Sequence, residues 1–128
     1  MKVLVDTHAL LWFVLDDPRL GRKADALMRS GSTDLLLSVA SCWELAIKHA
    51  LGKINLGKPF DQFLWPELRR NQIEVLPIAE AHLNLLSGLP NHHRDPFDRL
   101  LAAQALAERI PMVSADEAMS RYGVELIW

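Results

Sequence analysis

Only one cysteine, Cys42, occurs in the 128 residues, so no internal disulfide can form and the disulfide-stapled class of small secreted domains is excluded. A cationic excess is missing too. Fourteen Lys and Arg stand against sixteen Asp and Glu, a net charge of −2, so the electrostatic footprint that announces many nucleic-acid binders is absent and any partner has to be inferred from a site. Long apolar runs are also lacking. The stretch Ala9 to Leu15 is too short to span a bilayer, and as a signal-peptide core it fails on both flanks. Asp6 stands where a basic leader belongs, and Asp16-Asp17-Pro18 where small cleavage-site residues belong. A cytoplasmic protein is expected. There is no internal repeat, low-complexity run or dividing linker, so residues 1–128 are expected to form one domain.

What is present is the balance of a soluble globular fold, half hydrophobic and 23% charged. Val3-Leu4-Val5 reads as a strand, closed by Asp6 before the helical stretch His8 to Leu15. Leu35-Leu36-Leu37 and Ser38 repeat that order, followed by a helix from Val39 to Leu51 that Gly52 ends. Ile73 to Leu76, Met112-Val113 and Val124 to Trp128 are further strands. Helical patterns cover Arg22 to Arg29, Phe60 to Arg70 with a bend at Pro66, Ala79 to Leu86, and Phe97 to Arg109. Short strands separated by helices predict an α/β fold with a mainly parallel sheet. In such sheets ligands bind beyond the carboxyl ends of the strands, where helix N-termini converge.

Acids gather at those junctions. Asp6 follows the first strand, Asp116 follows Met112-Val113-Ser114, and Asp95-Pro96-Phe97-Asp98 opens a helix. Glu44 lies more than a turn inside the helix that Ser38 would cap. Each acid has a plain structural reading. Asp6 and Asp95 fit helix N-caps, the latter with Pro96 at the first helical position; Ser114 and Glu117 fit a capping box around Asp116. Glu44 fits a box capped by Ser41, or a pair with Lys48 four residues on. Together, however, four carboxylates crowded at one edge repel, each pair by roughly 4 kcal/mol at 4 Å in an effective dielectric near 20. Capping alone does not account for that cost. A divalent cation converts the repulsion into ligation, and an Asp/Glu set suits Mg²⁺ or Mn²⁺ rather than Zn²⁺. Sites of this kind perform phosphoryl chemistry.

Four segments carry a resemblance: Val3-Leu4-Val5-Asp6-Thr7-His8-Ala9-Leu10, Ser41-Cys42-Trp43-Glu44-Leu45-Ala46-Ile47-Lys48, Arg94-Asp95-Pro96-Phe97-Asp98-Arg99-Leu100-Leu101-Ala102-Ala103-Gln104-Ala105, and Val113-Ser114-Ala115-Asp116. In this order and spanning nearly the whole chain, they resemble the PIN-domain nucleases, and within them the small VapC-type toxins of toxin–antitoxin pairs. The resemblance implies a PIN-like three-layer sandwich, a central mainly parallel sheet flanked by helices. It implies an RNA substrate cut by water with Mg²⁺ or Mn²⁺, and an acidic quartet of Asp6, Glu44, Asp98 and Asp116. Asp6 would be the central ligand, Asp98 and Asp116 would hold metal directly or through water, and Glu44 would orient water. Ser114 stands where a hydroxyl commonly supports the cluster. His8 departs from the small polar residue common at its position, and Asp95 adds a fifth acid able to share a ligand role. Asp98 is preferred because the Leu-Leu-Ala-Ala run follows it at the family spacing.

Other residues read more plainly. Adjacent His92 and His93 do not naturally converge on one ion, and their segment reads as a loop. His8 either contacts phosphate or packs. Arg94 and Arg99 flank the acidic pair and Lys48 lies one turn beyond Glu44; they either balance charge or hold an RNA backbone. Leu100 to Ala107, with Gln104 its single polar residue, reads as a buried helix. Trp12, Phe13, Phe60, Phe63, Leu64 and Trp65 are core candidates, with the leftovers forming a homodimer or antitoxin surface. Two other functions compete with a ribonuclease: a phosphatase or phospho-acceptor using Asp6, and an inactive binding module. Against the first, position 8 is His rather than a second acid; against the second, all four acids are kept. One divalent cation would bring the net charge to zero, predicting weak nonspecific RNA binding with a shallow salt dependence.

Overall fold

A computed structural model describes residues 1–128. Its elements run β1 (Lys2–Val5), α1 (Thr7–Val14), α2 (Arg22–Arg29), β2 (Asp34–Ser38), α3 (Val39–Ala50), α4 (Phe60–Arg70), β3 (Ile73–Leu76), α5 (Glu80–Ser87), α6 (Pro96–Glu108), β4 (Met112–Val113), a 3₁₀ turn (Glu117–Tyr122) and β5 (Leu126–Ile127). The five strands form one all-parallel sheet in the order β3-β2-β1-β4-β5. No helix is long and apolar enough to cross a membrane.

The period-2 alternation of the strands builds three layers. Val3, Val5, Leu35, Leu37 and Val113 point to one face and join the buried residues of α1 to α4, including Leu10, Phe13, Leu45, Phe63 and Leu64. Leu4, Leu36 and Met112 point to the other, where Leu101, Ala102 and Ala105 of α6 meet Met119, Tyr122 and Val124. Ala102, Ala103 and Ala105 of α6 are buried, which lets that helix lie close against the sheet. The expected sandwich is therefore the observed one.

Boundaries differ from the sequence reading where caps decide them. Asp6 accepts the Ala9 N–H at 2.8 Å, so α1 begins at Thr7 rather than His8. Asp95 accepts from the N–H groups of Phe97 and Asp98, so α6 includes Pro96, which needs no donor there. The last strand is only Leu126–Ile127, since Val124 belongs to the second core. Ser38 caps α3 through the Ala40 N–H, and Ser41 instead receives the Thr7 hydroxyl at 2.9 Å. The alternative capping box of Ser41 and Glu44 is thus replaced. Helix α4 continues through Pro66, whose ring is exposed, to Arg70.

From β1 the chain steps to β2 and β3 on one side and returns to β4 and β5 on the other. The switch point lies between β1 and β4, where Asp6 N–H donates to the Val113 carbonyl at 3.0 Å. A crevice opens there beyond the strand ends.

Candidate active site

Four different segments deliver acids to that crevice. Asp6 ends β1 and caps α1; Asp116 caps the 3₁₀ turn by accepting the Ala118 N–H at 3.0 Å; Asp98 sits in the first turn of α6; Glu44 projects from the middle of α3. Three of these acids stand at helix starts, where the backbone dipole offsets part of their charge. Two aromatic rings hold the α3 and α6 sides together, Trp43 meeting Phe97 edge-on at 5.3 Å.

The electrostatics show that the acids sense one another. Asp98 is pushed up to about 7, first by burial and then by the charge of Asp95, with Glu44 and Asp116 adding to the rise and His93 opposing it. Asp6 is also raised, chiefly by burial, with Asp116 adding to the rise; the Ser114 hydroxyl, the Ala9 N–H and His8 work against it. Ser114 is buried and its oxygen also accepts the Asp116 N–H at 3.0 Å. It therefore touches both strand-end acids, and the expected box of Ser114 and Glu117 is not how Asp116 is organised. Glu44 is buried; one oxygen takes Lys48 Nζ at 3.0 Å, and the other, Oε1, has no partner at all. A buried orphan acceptor costs about 1–3 kcal/mol. Crowded carboxylates together with an orphan oxygen are what an oxygen-ligated divalent cation would satisfy, so the residues present fit one.

Asp95 caps α6 through one oxygen, Oδ1, which accepts the N–H groups of Phe97 and Asp98. His8 is exposed at the mouth of the crevice, its ring 5.9 Å from Trp12. Arg94 is exposed and makes no ion pair. Arg99 does something the sequence did not suggest: its guanidinium donates to the carbonyls of Pro90 and Leu89 and to the Tyr122 hydroxyl. It holds a loop in this structure.

The residue that sequence reasoning missed is His93. Its Nε2 lies 2.7 Å from Asp116 Oδ2 and 3.3 Å from Asp98 Oδ2, making His93, Asp98 and Asp116 a compact set of ligand-type atoms. Tyr122 makes this placement, since its hydroxyl oxygen accepts the N–H groups of both His92 and His93. The doubled histidine was the available signal, but only one of the pair turns inward. His92 remains outside, against the Tyr122 ring at 5.1 Å.

The family described as PIN domain matches residues 3–125. No curated protein matches. Among solved structures, VapBC2 from Rickettsia felis bound to a DNA fragment from their promoter superposes with a TM-score of 0.74 at 16% identity, over 98% of this chain and 97% of that one. FitAcB from Neisseria gonorrhoeae gives 0.69 at 18%, over 98% and 96%. A toxin–antitoxin complex from Klebsiella pneumoniae gives 0.59 at 14%, over 89% and 86%.

Proposed function

The chain belongs to the PIN-domain family, and from that membership and its acidic crevice we propose that it is a divalent-metal-dependent endoribonuclease acting as the toxin of a toxin–antitoxin pair. The observation that carries the reading is the crowding of acids from four segments near the switch point: Asp98, driven up to about 7 first by burial, also feels the charges of Glu44 and Asp116, and Asp6 feels that of Asp116. Similarity to solved structures of a VapBC2 complex and a toxin–antitoxin complex supports the toxin–antitoxin part.

Asp6, Asp98 and Asp116 are the residues that would hold Mg²⁺ or Mn²⁺, with Glu44 beside them. Such a cation supplies Lewis-acid polarisation of a phosphodiester and activation of water. The protein's own groups do the positioning. The Ala9 N–H fixes Asp6, and the Ser114 hydroxyl serves Asp6 and Asp116 together. Lys48 pins one oxygen of Glu44 and leaves Oε1 free to orient the attacking water. Arg94, exposed and without an ion pair, and Lys48, beside Glu44, would position the RNA backbone without reading sequence. Partners in this reading are RNA, a cognate antitoxin and a second copy of the chain, in the cytoplasm.

Purified protein is expected to cleave RNA with Mg²⁺ or Mn²⁺ and to stop on chelation and in Asp6→Asn. Cleavage that persists in a carefully purified Asp6→Asn sample would overturn the assignment.

A further inference from the structure

Beside the acids lies a cavity of about 280 Å³ lined by Asp6, His8, Trp12, Ala115, Asp116 and Trp128. Three of these six are aromatic rings, and they form a connected wall: His8 is 5.9 Å from Trp12, and Trp12 meets Trp128 edge-on at 5.8 Å. We propose that this wall is a nucleobase subsite, a stacking platform for one base of the RNA strand next to the phosphate held at the acids. The proposal rests on the nuclease reading of the adjoining centre and extends it to how the substrate is gripped.

Two features favour a flat aromatic ligand of that kind. The platform is held in position before any ligand arrives. Trp128 lies so close to Gly21 that a Cβ there would stand 2.1 Å from the Trp128 carbonyl oxygen and 2.7 Å from its ring, and Ala24 N–H donates to the same oxygen at 3.3 Å. Trp12 and Trp128 are both half-buried, Trp12 with the Arg19 guanidinium 4.9 Å from its ring centre, and His8 is exposed beside them, so the two indoles back a wall whose open end is the imidazole. The second feature is continuity. Asp6 and Asp116 are shared between the cavity and the acidic centre, so a strand with a phosphate at one has a base within reach of the other. Every base has a π-face, so a stacking site tolerates sequence and favours the larger purine ring.

The test is an abasic scan. Short labelled single-stranded RNAs, each lacking one base at a successive position around the cut, are bound to the protein with Ca²⁺ replacing Mg²⁺ to hold back cleavage, and anisotropy reads the affinity. One position adjacent to the cut is expected to lose roughly 5- to 100-fold in wild type. In His8→Ala, an exposed site whose loss spares the core, and in Trp128→Leu, checked by thermal unfolding, that penalty shrinks or vanishes. An equal penalty in wild type and both variants overturns the subsite. A flat scan overturns it too while leaving the nuclease reading intact, provided RNA is still cut in an Asp6-dependent way. A flat scan in which an added antitoxin shields His8 from chemical modification assigns the wall to a protein instead. If wild type neither binds nor cuts RNA, both readings fall together.

Discussion

His93 places its Nε2 2.7 Å from Asp116 Oδ2 while its Nδ1 accepts the Asp95 N–H at 3.1 Å. An acceptor at Nδ1 assigns the neutral ring's proton to Nε2, so His93 stands between Asp116 and Asp98 as a hydrogen-bond donor rather than as a ligand with a free lone pair. It relieves their repulsion in the place a cation would. In His93→Ala the chelated protein should melt a few degrees lower, and saturating Mn²⁺ should raise the melting temperature by more than in wild type. Differential scanning fluorimetry decides it: a smaller Mn²⁺ shift in the variant would make His93 a ligand.

Asp98 gives a pH signature. Its carboxyl is held at about 7 in the fold, above its ordinary 3.8, so the folded state binds this proton more tightly than the unfolded chain. The stability it contributes is complete below about pH 4 and is lost as pH rises through 7. In chelator, wild type should therefore lose stability relative to Asp98→Asn between these values. Above pH 7 the variant should be the more stable by about 1 kcal/mol, or roughly 3–5 °C. The same variant should lose most of its divalent-ion affinity by calorimetry. A constant stability difference across the range would contradict this account.

His82 is buried between α5 and α6. It accepts the Ala79 N–H through Nδ1 at 2.9 Å, and its Nε2 meets Glu108 at 3.0 Å. His82→Ala removes the acceptor of the Ala79 N–H and leaves a cavity beneath α5, an expected loss of roughly 2–3 kcal/mol in urea unfolding. The divalent-ion affinity of the variant, measured at a temperature where it stays folded, should be unchanged, because the acids sit at the far end of α6.

Val39, Trp43, Ile47 and Leu51 recur every four residues along one side of α3, and all stay exposed, Trp43 by 63%. Water-facing apolar side chains in a row mark a contact surface. In the proposed homodimer this ridge is the surface covered, so Leu51→Lys, which leaves Trp43 against Phe97, should shift sedimentation toward monomer without lowering the melting temperature. A variant that sediments like wild type would place the contact elsewhere.

Much of the fold was legible because it depends on local periodicity. Val3-Leu4-Val5 and Leu35-Leu36-Leu37 reach both cores by alternation alone, and Asp6, Ser38 and Asp95 are caps that the residue types announce. The surface was less legible. Phe13, Phe63 and Leu64 are buried and Trp12 and Phe60 half-buried, as core candidates should be, but Trp65, read the same way, is exposed, and the most exposed tryptophan is Trp43, which sequence places only within a motif. Nothing in a single helix tells which face a neighbour will cover.

The amino-acid order by itself determined the strand-helix alternation, the acids at the strand ends and the family that those acids suggest. Those features arise from contacts within a few residues: side-chain alternation, a carboxylate accepting a backbone N–H three positions on, a proline at the first turn. Tertiary structure alone decided which polar groups meet. Tyr122 turns His93 rather than His92 toward Asp116, Arg99 is spent on the loop at Leu89 and Pro90, and Trp128 closes over Gly21 to complete an aromatic wall beside Asp6. These partners lie far apart along the chain, and only the parallel sheet, by setting β4 against β1, brings them to one edge.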